Sequence, residues 1–219
     1  MMRIGILGTG TVGQTLGSKL VALGHEVVLG SRSKGNAAAG DWADRNGPRA
    51  QAGTFAEAAA HGELVVNATG GTVALSAVEL AGPENLAGKV LLDVCNPLVF
   101  SPTGELTLDP VNDDSIGEQL QRALPQTRVV KALNTVNVAV MVDPDRVPGE
   151  HQLFMAGEDT EAKAQVTALL GEFGWPAGRV LDLGGIDAAR GLEMMMPFWM
   201  RLMRHYGHAD FNYSIRTAN

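Results

Sequence analysis

Short apolar runs alternate with longer amphipathic stretches from the beginning of the chain. Met2–Leu7 reads as a buried strand, and Val12, Leu16, Leu20 and Leu23 then recur along one face of a helix over Thr11–Leu23. Gly24 is placed to stop that helix. Glu26–Gly30 is a second strand, Asn36–Asn46 an Ala-rich helix and Arg49–Ala52 a short third strand. Thr54 caps a helix through Ala60, and Leu64–Ala68 and Val90–Val94 read as the fourth and fifth strands. Asp114 or Ser115 caps a helix through Leu124 that Pro125 ends, and Arg128–Leu133 is a sixth strand.

Six strands alternating with helices predict a doubly wound, Rossmann-type α/β fold built on a mostly parallel sheet of two three-strand halves. Two more strands follow, Gln152–Ala156 and Arg179–Leu183. Between them a helix starts at Asp159-Thr160, carries Ala162, Val166, Leu169, Leu170 and Phe173 on one face, and stops at Gly174. From Ile186 onward Leu192, Met195, Met196, Trp199, Leu202, Met203 and Tyr206 recur at helical spacing, with a kink expected at Pro197. That methionine-rich face suits core packing, the wall of a flat ring pocket or a dimer contact. The expected organisation is a single domain over 1–219, with a core over roughly 1–145 and a short α/β extension over 146–219.

Composition narrows the function classes. Hydrophobic residues make up 45% of the 219 and charged residues 19%, a globular balance. A net charge of −7 argues against nucleic acid or an acidic membrane surface as partner. The single cysteine, Cys95, allows no internal disulfide, and no Cys/His set has zinc spacing. The first strand begins two residues in, leaving no room for a signal peptide, and no apolar run approaches the ~18 residues of a membrane span. A cytoplasmic protein is the expectation.

The chemistry concentrates at strand ends. Gly8-Thr9-Gly10-Thr11-Val12-Gly13, between a strand and a helix, has the glycine spacing that turns tightly, admits a pyrophosphate and packs helix on strand. After the second strand, where a carboxylate would select NAD, stand Ser31-Arg32-Ser33-Lys34. Arg32 can hold a 2′-phosphate through paired charged hydrogen bonds, so the sequence favours NADP. A plain helix start capped by Ser31 or Ser33 is the alternative. Ala68, Thr69 and Gly70 leave the fourth strand beside the switch point, where they either face the cofactor or form a simple turn. Asn96, with Pro97 beside it, lies at the carboxyl edge of the fifth strand within reach of the nicotinamide or its ribose, and Cys95 reads as a small buried apolar residue. Phe100–Asp114, with two prolines, reads as an irregular loop, either a functional flap or a disordered connector.

Several segments together carry a family resemblance: Ile6–Gly13, Gly24–Val27, Gly30–Arg32, Asp93–Leu98, Val129–Thr135, Ala156–Asp159 and Ala188–Glu193. In order, and over essentially the whole chain, they resemble the coenzyme F-420-dependent NADP oxidoreductases. The resemblance implies hydride transfer between NADP and a deazaflavin, with no obligatory protein acid or base. It assigns Thr9 to phosphate contacts, Ser31 and Arg32 to the 2′-phosphate and Asn134 to the nicotinamide neighbourhood. The chain departs from the family at Ala68–Gly71 and in its long 100–114 loop. A small flat redox partner is therefore expected, coenzyme F-420 first and a flavin second. The competing readings are an NADPH-dependent carbonyl or imine reductase and a non-catalytic NADP-binding module. The reductase would need a proton donor, for which Lys131 or the loop would serve, although Lys131 reads better as a structural ion pair. A dimer through the last helix completes the expectation.

Overall fold

The computed structural model describes residues 1–218. The first half alternates strand and helix: β1 (Arg3–Leu7), α1 (Thr11–Ala22), β2 (Glu26–Ser31), α2 (Ala37–Asn46), β3 (Ala50–Thr54), α3 (Phe55–His61) and β4 (Leu64–Asn67). After β4 come α4 (Ala74–Ala81), α5 (Pro83–Leu86), β5 (Val90–Asp93), β6 (Leu98–Phe100), β7 (Leu106–Leu108), α6 (Ile116–Ala123) and β8 (Arg128–Ala132). The remainder holds α7 (Val138–Val142), β9 (Leu153–Ala156), α8 (Thr160–Phe173), β10 (Val180–Asp182), α9 (Ala189–Met194) and α10 (Met196–Tyr206).

Eight strands form one sheet in the order β10-β9-β8-β5-β4-β1-β2-β3. All neighbours pair in parallel except β8 and β9, so β9 and β10 run against the rest and extend the sheet beyond the six-strand unit. The chain order reverses between β1 and β4, which creates the switch-point crevice at their carboxyl ends. Two apolar layers cover the sheet. Ile4, Leu16, Leu20, Trp42, Val66 and Leu170 belong to one, and Phe55, Ala58, Val65, Val78, Leu120 and Val129 to the other.

Local signals set the boundaries. Thr54 ends β3 and starts α3 through a reciprocal cap: its hydroxyl accepts from Glu57 N at 3.2 Å, and Glu57 Oε2 accepts from Thr54 N at 2.7 Å. Gly174 stops α8 in the left-handed conformation. Three expectations need correction. The third strand runs two residues past Ala52, because β2 pairs with it through Thr54. The 100–114 loop is partly ordered, since β6 and β7 form an antiparallel hairpin. The last helix is two helices that meet at Met195, and Pro197 sits in the first turn of α10, where its missing N–H leaves no helical bond unmade.

Candidate functional site

Each glycine of the first turn has its own reason. Gly8 has φ +120°, and a Cβ there would lie 2.5 Å from Ala68 O. A Cβ on Gly13 would lie 2.1 Å from Gly8 O, so only glycine lets α1 pack this closely on β1. A Cβ on Gly10 would meet nothing within 4 Å; this face opens onto free space. Gly10 is also the N-cap of α1, with no side-chain cap and no acidic residue in the first turn. The first N–H groups of the helix and its positive end therefore face that opening. Gln14 steadies the turn from outside, donating to Thr9 O at 2.9 Å and accepting from Arg45 at 3.2 Å.

Two cavities open at these strand ends. One, of about 450 Å³, is lined by Gly8, Thr9, Gly10 and Arg32 on one side and by Phe55, Ala77 and Leu80 on the other. The second, of about 330 Å³, is lined by Val12, Cys95, Asn96, Leu98 and Phe100 among others. Ala68, Thr69 and Gly70 line both, so the two form adjoining halves of one cleft across the ends of β1, β4 and β5. A larger cavity of about 650 Å³ lies between α2 and α3, where Lys34, Asn36, Asp41 and Glu57 make it polar. The first turn of α2 lines it, but Asn36 already caps that helix, accepting from Ala39 N at 3.0 Å.

Of the residues singled out in the sequence, Gly8, Thr9, Gly10, Val12, Arg32, Ala68, Thr69, Gly70 and Asn96 line the cleft. Thr11, Gly13, Ser31, Ser33, Pro97 and Asn134 do not line it: Gly13, Ser31 and Asn134 are buried, and Thr11 and Ser33 are exposed beside it. Ser31 is buried, and its hydroxyl donates to Ser33 O at 2.6 Å, folding the turn that presents Arg32. Pro97 O accepts from Asp109 N at 2.9 Å and closes the base of the hairpin. Asn134 lies beneath Asn96: Asn96 Nδ2 donates to Asn134 O at 2.8 Å, and Asn134 Nδ2 donates to Asn96 Oδ1 at 2.9 Å and to Leu192 O at 3.1 Å. Leu133 makes this reversal possible by adopting a left-handed conformation, φ 66°, which costs a non-glycine residue about 1–3 kcal/mol.

The loops after β4 and β5 are fastened together. Cys95 Sγ donates to Thr69 O at 3.0 Å, Thr69 Oγ1 donates to Asn67 Oδ1 at 2.8 Å, and Gly71 N donates to Asn96 O at 3.2 Å. A Cβ on Gly71 would lie 2.4 Å from Asn96 O.

A buried ionic group supports this floor. Lys131 Nζ lies 2.8 Å from Asp93 Oδ2, 2.6 Å from Cys95 O and 2.6 Å from Glu193 Oε1, and none of its side chain is exposed. Burial opposes its charge, but the two carboxylates outweigh burial and hold the ammonium above the usual lysine value. Burial raises the Glu193 carboxyl even with Lys131 beside it. Glu193 also accepts from the N–H groups of Ile116 and Gly117, capping α6 from 76 residues away. Burial, with Asp93 nearby, pushes the Cys95 thiol well up, so it is a packed thiol rather than a nucleophile. Lys131 is the structural ion pair, enclosed by three acceptors.

The residues that sequence reasoning missed include Phe55, Val73, Ser76, Ala77 and Leu80 around the first half and Val94, Leu98 and Phe100 around the second. Glu193 was missed as well; nothing in its local sequence marks a contact with Lys131.

Among known proteins, the family described as "NADP oxidoreductase coenzyme F420-dependent" matches residues 3–97. The F420-dependent NADP reductase of Methanocaldococcus jannaschii is 30% identical over 223 residues, covering 94% of this chain and 94% of that protein. The chain belongs to the F420-dependent NADP reductase family. A solved structure of a candidate F420-dependent NADP reductase from Arthrobacter sp. FB24 superposes with a TM-score of 0.93 at 47% identity, covering 99% of this chain and all of the other. Metalloreductase STEAP3 of Rattus norvegicus is 31% identical over 210 residues, but this chain spans only 38% of its length. The titratable groups that line the cleft among the described residues are Arg32 and Cys95.

Proposed function

We propose that the protein is an NADP(H)-dependent oxidoreductase that transfers a hydride between the nicotinamide and a flat redox cofactor, coenzyme F420 first and a flavin second. The carrying observation is the two-part cleft, with an open helix N-terminus and Arg32 in one half and, in the other, mostly apolar walls whose titratable group is the buried Cys95 thiol. Bound NADPH supplies the hydride. The chain's own work is orientation. The α1 N-terminus and the Gly8–Gly10 backbone hold the pyrophosphate, Arg32 binds the 2′-phosphate, and Phe55, Val73 and Leu80 receive the adenine. Asn96, fixed by Asn134, fastens the nicotinamide end, and Val12, Leu98 and Phe100 keep water from the rings.

A carbonyl or imine reductase would need a proton donor in the second half of the cleft, and Lys131 is sealed below it. The extension from about 146 joins the same sheet, which supports a single domain. The exposed Met194, Phe198 and Tyr206 support a homodimer, and the lone thiol is compatible with a cytoplasmic setting. Anaerobic turnover of NADPH with the deazaflavin, FMN, ketones and imines tests the reading. Ring acceptors alone should be reduced, and turnover confined to ketones or imines would overturn it.

A further inference from the structure

The β6–β7 hairpin stands outside the main sheet, and its faces differ. Leu98 pairs with Leu108 and Phe100 with Leu106, which puts four apolar side chains on one face and leaves Val99 and Thr107 on the other. Leu98 and Phe100 line the 330 Å³ half-cleft. On the other strand, Leu106 and Thr107 line a groove of about 400 Å³ whose far wall is α10, at Met200, Arg201 and Arg204. Phe100 and Leu106 are direct partners, so one cross-strand pair, about 5 Å wide, separates the lining of the ring site from that of the groove.

Arg201 and Arg204 are exposed and stand three residues apart, where like charges repel on a helix. Among the described residues neither forms an ion pair, and Glu105 in the facing wall pairs with neither. The last turn of α10 gives Arg204 a helix-dipole reason to be basic, but mid-helix Arg201 has none. We infer that Arg201 and Arg204 form an anion subsite for the second substrate. A planar redox ring held at Asn96 and Phe100 extends past the hairpin and places a phosphate or carboxylate substituent on the two guanidinium groups. The ring's position rests on the hydride-transfer reading. The anion selectivity is a separate claim.

Three ligands with one ring separate the terms: 5-deazariboflavin, its 5′-phosphate, and a 5-deazaflavin with a terminal carboxylate chain. Each is titrated by fluorescence against the full chain saturated with NADP. One charged form should bind about tenfold more tightly than neutral 5-deazariboflavin, as charge-assisted hydrogen bonds predict. Whether phosphate or carboxylate gains more identifies the anion. The double variant Arg201→Gln/Arg204→Gln should erase the gap while its affinity for NADPH, the control for intact folding, stays unchanged. Equal affinity for all three ligands, a gap that survives the double variant, or no binding of any ring would overturn the subsite. Turnover of neutral 5-deazariboflavin reports on hydride transfer alone, so a charge gap without turnover overturns the functional reading and leaves the subsite standing.

Discussion

Arg32 and Lys131 are both cations at the carboxyl edge of the sheet, and burial gives them opposite work. Arg32 lines the cleft and forms no ion pair among the described residues, so its charge is available to a ligand. Arg32→Ala should weaken NADPH binding about tenfold or more and leave NADH almost unchanged. Paired titrations check this, and equal NADPH and NADH affinity in the unmutated protein would contradict it. Lys131 neutralises two buried carboxylates. Lys131→Met would leave Asp93 and Glu193 facing each other, a loss of roughly 3–5 kcal/mol that urea unfolding would report. No histidine lines the cleft among the described residues, so the single-turnover rate should be flat between about pH 6 and 8, where an unperturbed histidine would titrate. The place of Arg32 in the cleft lining could be read from sequence because it follows from a fixed offset after β2. Glu193 could not, because its partner lies 62 positions upstream and only the packing of α9 on the sheet joins them.

At the scale of elements, the glycine turn divides into a closely packed half at Gly8 and Gly13 and an open half at Gly10. Gly13→Ala puts a Cβ against backbone and should lower stability, whereas Gly10→Ala places it in the open space assigned to the pyrophosphate. The second variant should keep its melting temperature and lose NADPH affinity; a large loss of stability instead would mean that Gly10 is a folding residue. The long helices and buried strands were legible because each carries a full period of apolar residues. The α4, α5 and α7 segments were not; α5 and α7, with four and five residues, are too short for a helical period. The hairpin was hidden for a similar reason: each strand has three residues, set among prolines and polar positions.

For the whole molecule, the C-terminal segment is fastened to the six-strand unit by charge as well as by the sheet. Glu193 bridges α9 to Lys131 and to α6, and Arg190 donates to Glu118 at 2.8 Å. Hydrogen bonds from Arg190 hold Glu118 below its ordinary value, and those from Arg122 bring Asp114 down to about 2. Both folded-state values are depressed, so the unfolded chain takes up protons first as pH falls. Their contribution is present above the ordinary carboxylate values, 3.8 and 4.5, and is lost as pH falls through the folded values. The urea midpoint should therefore hold down to about pH 5 and drop toward pH 2; a flat profile would show that these pairs add nothing. In the proposed function the cleft aligns two rings for direct hydride transfer. Its most direct test is an anaerobic stopped-flow single turnover with NADPH deuterated at the transferring position and coenzyme F420 as acceptor. NADPH oxidation and ring reduction should share one phase, slowed by deuterium, with the label recovered in the reduced ring. NADPH that persists beside the ring acceptor, or a reduced ring without the label, would contradict the account.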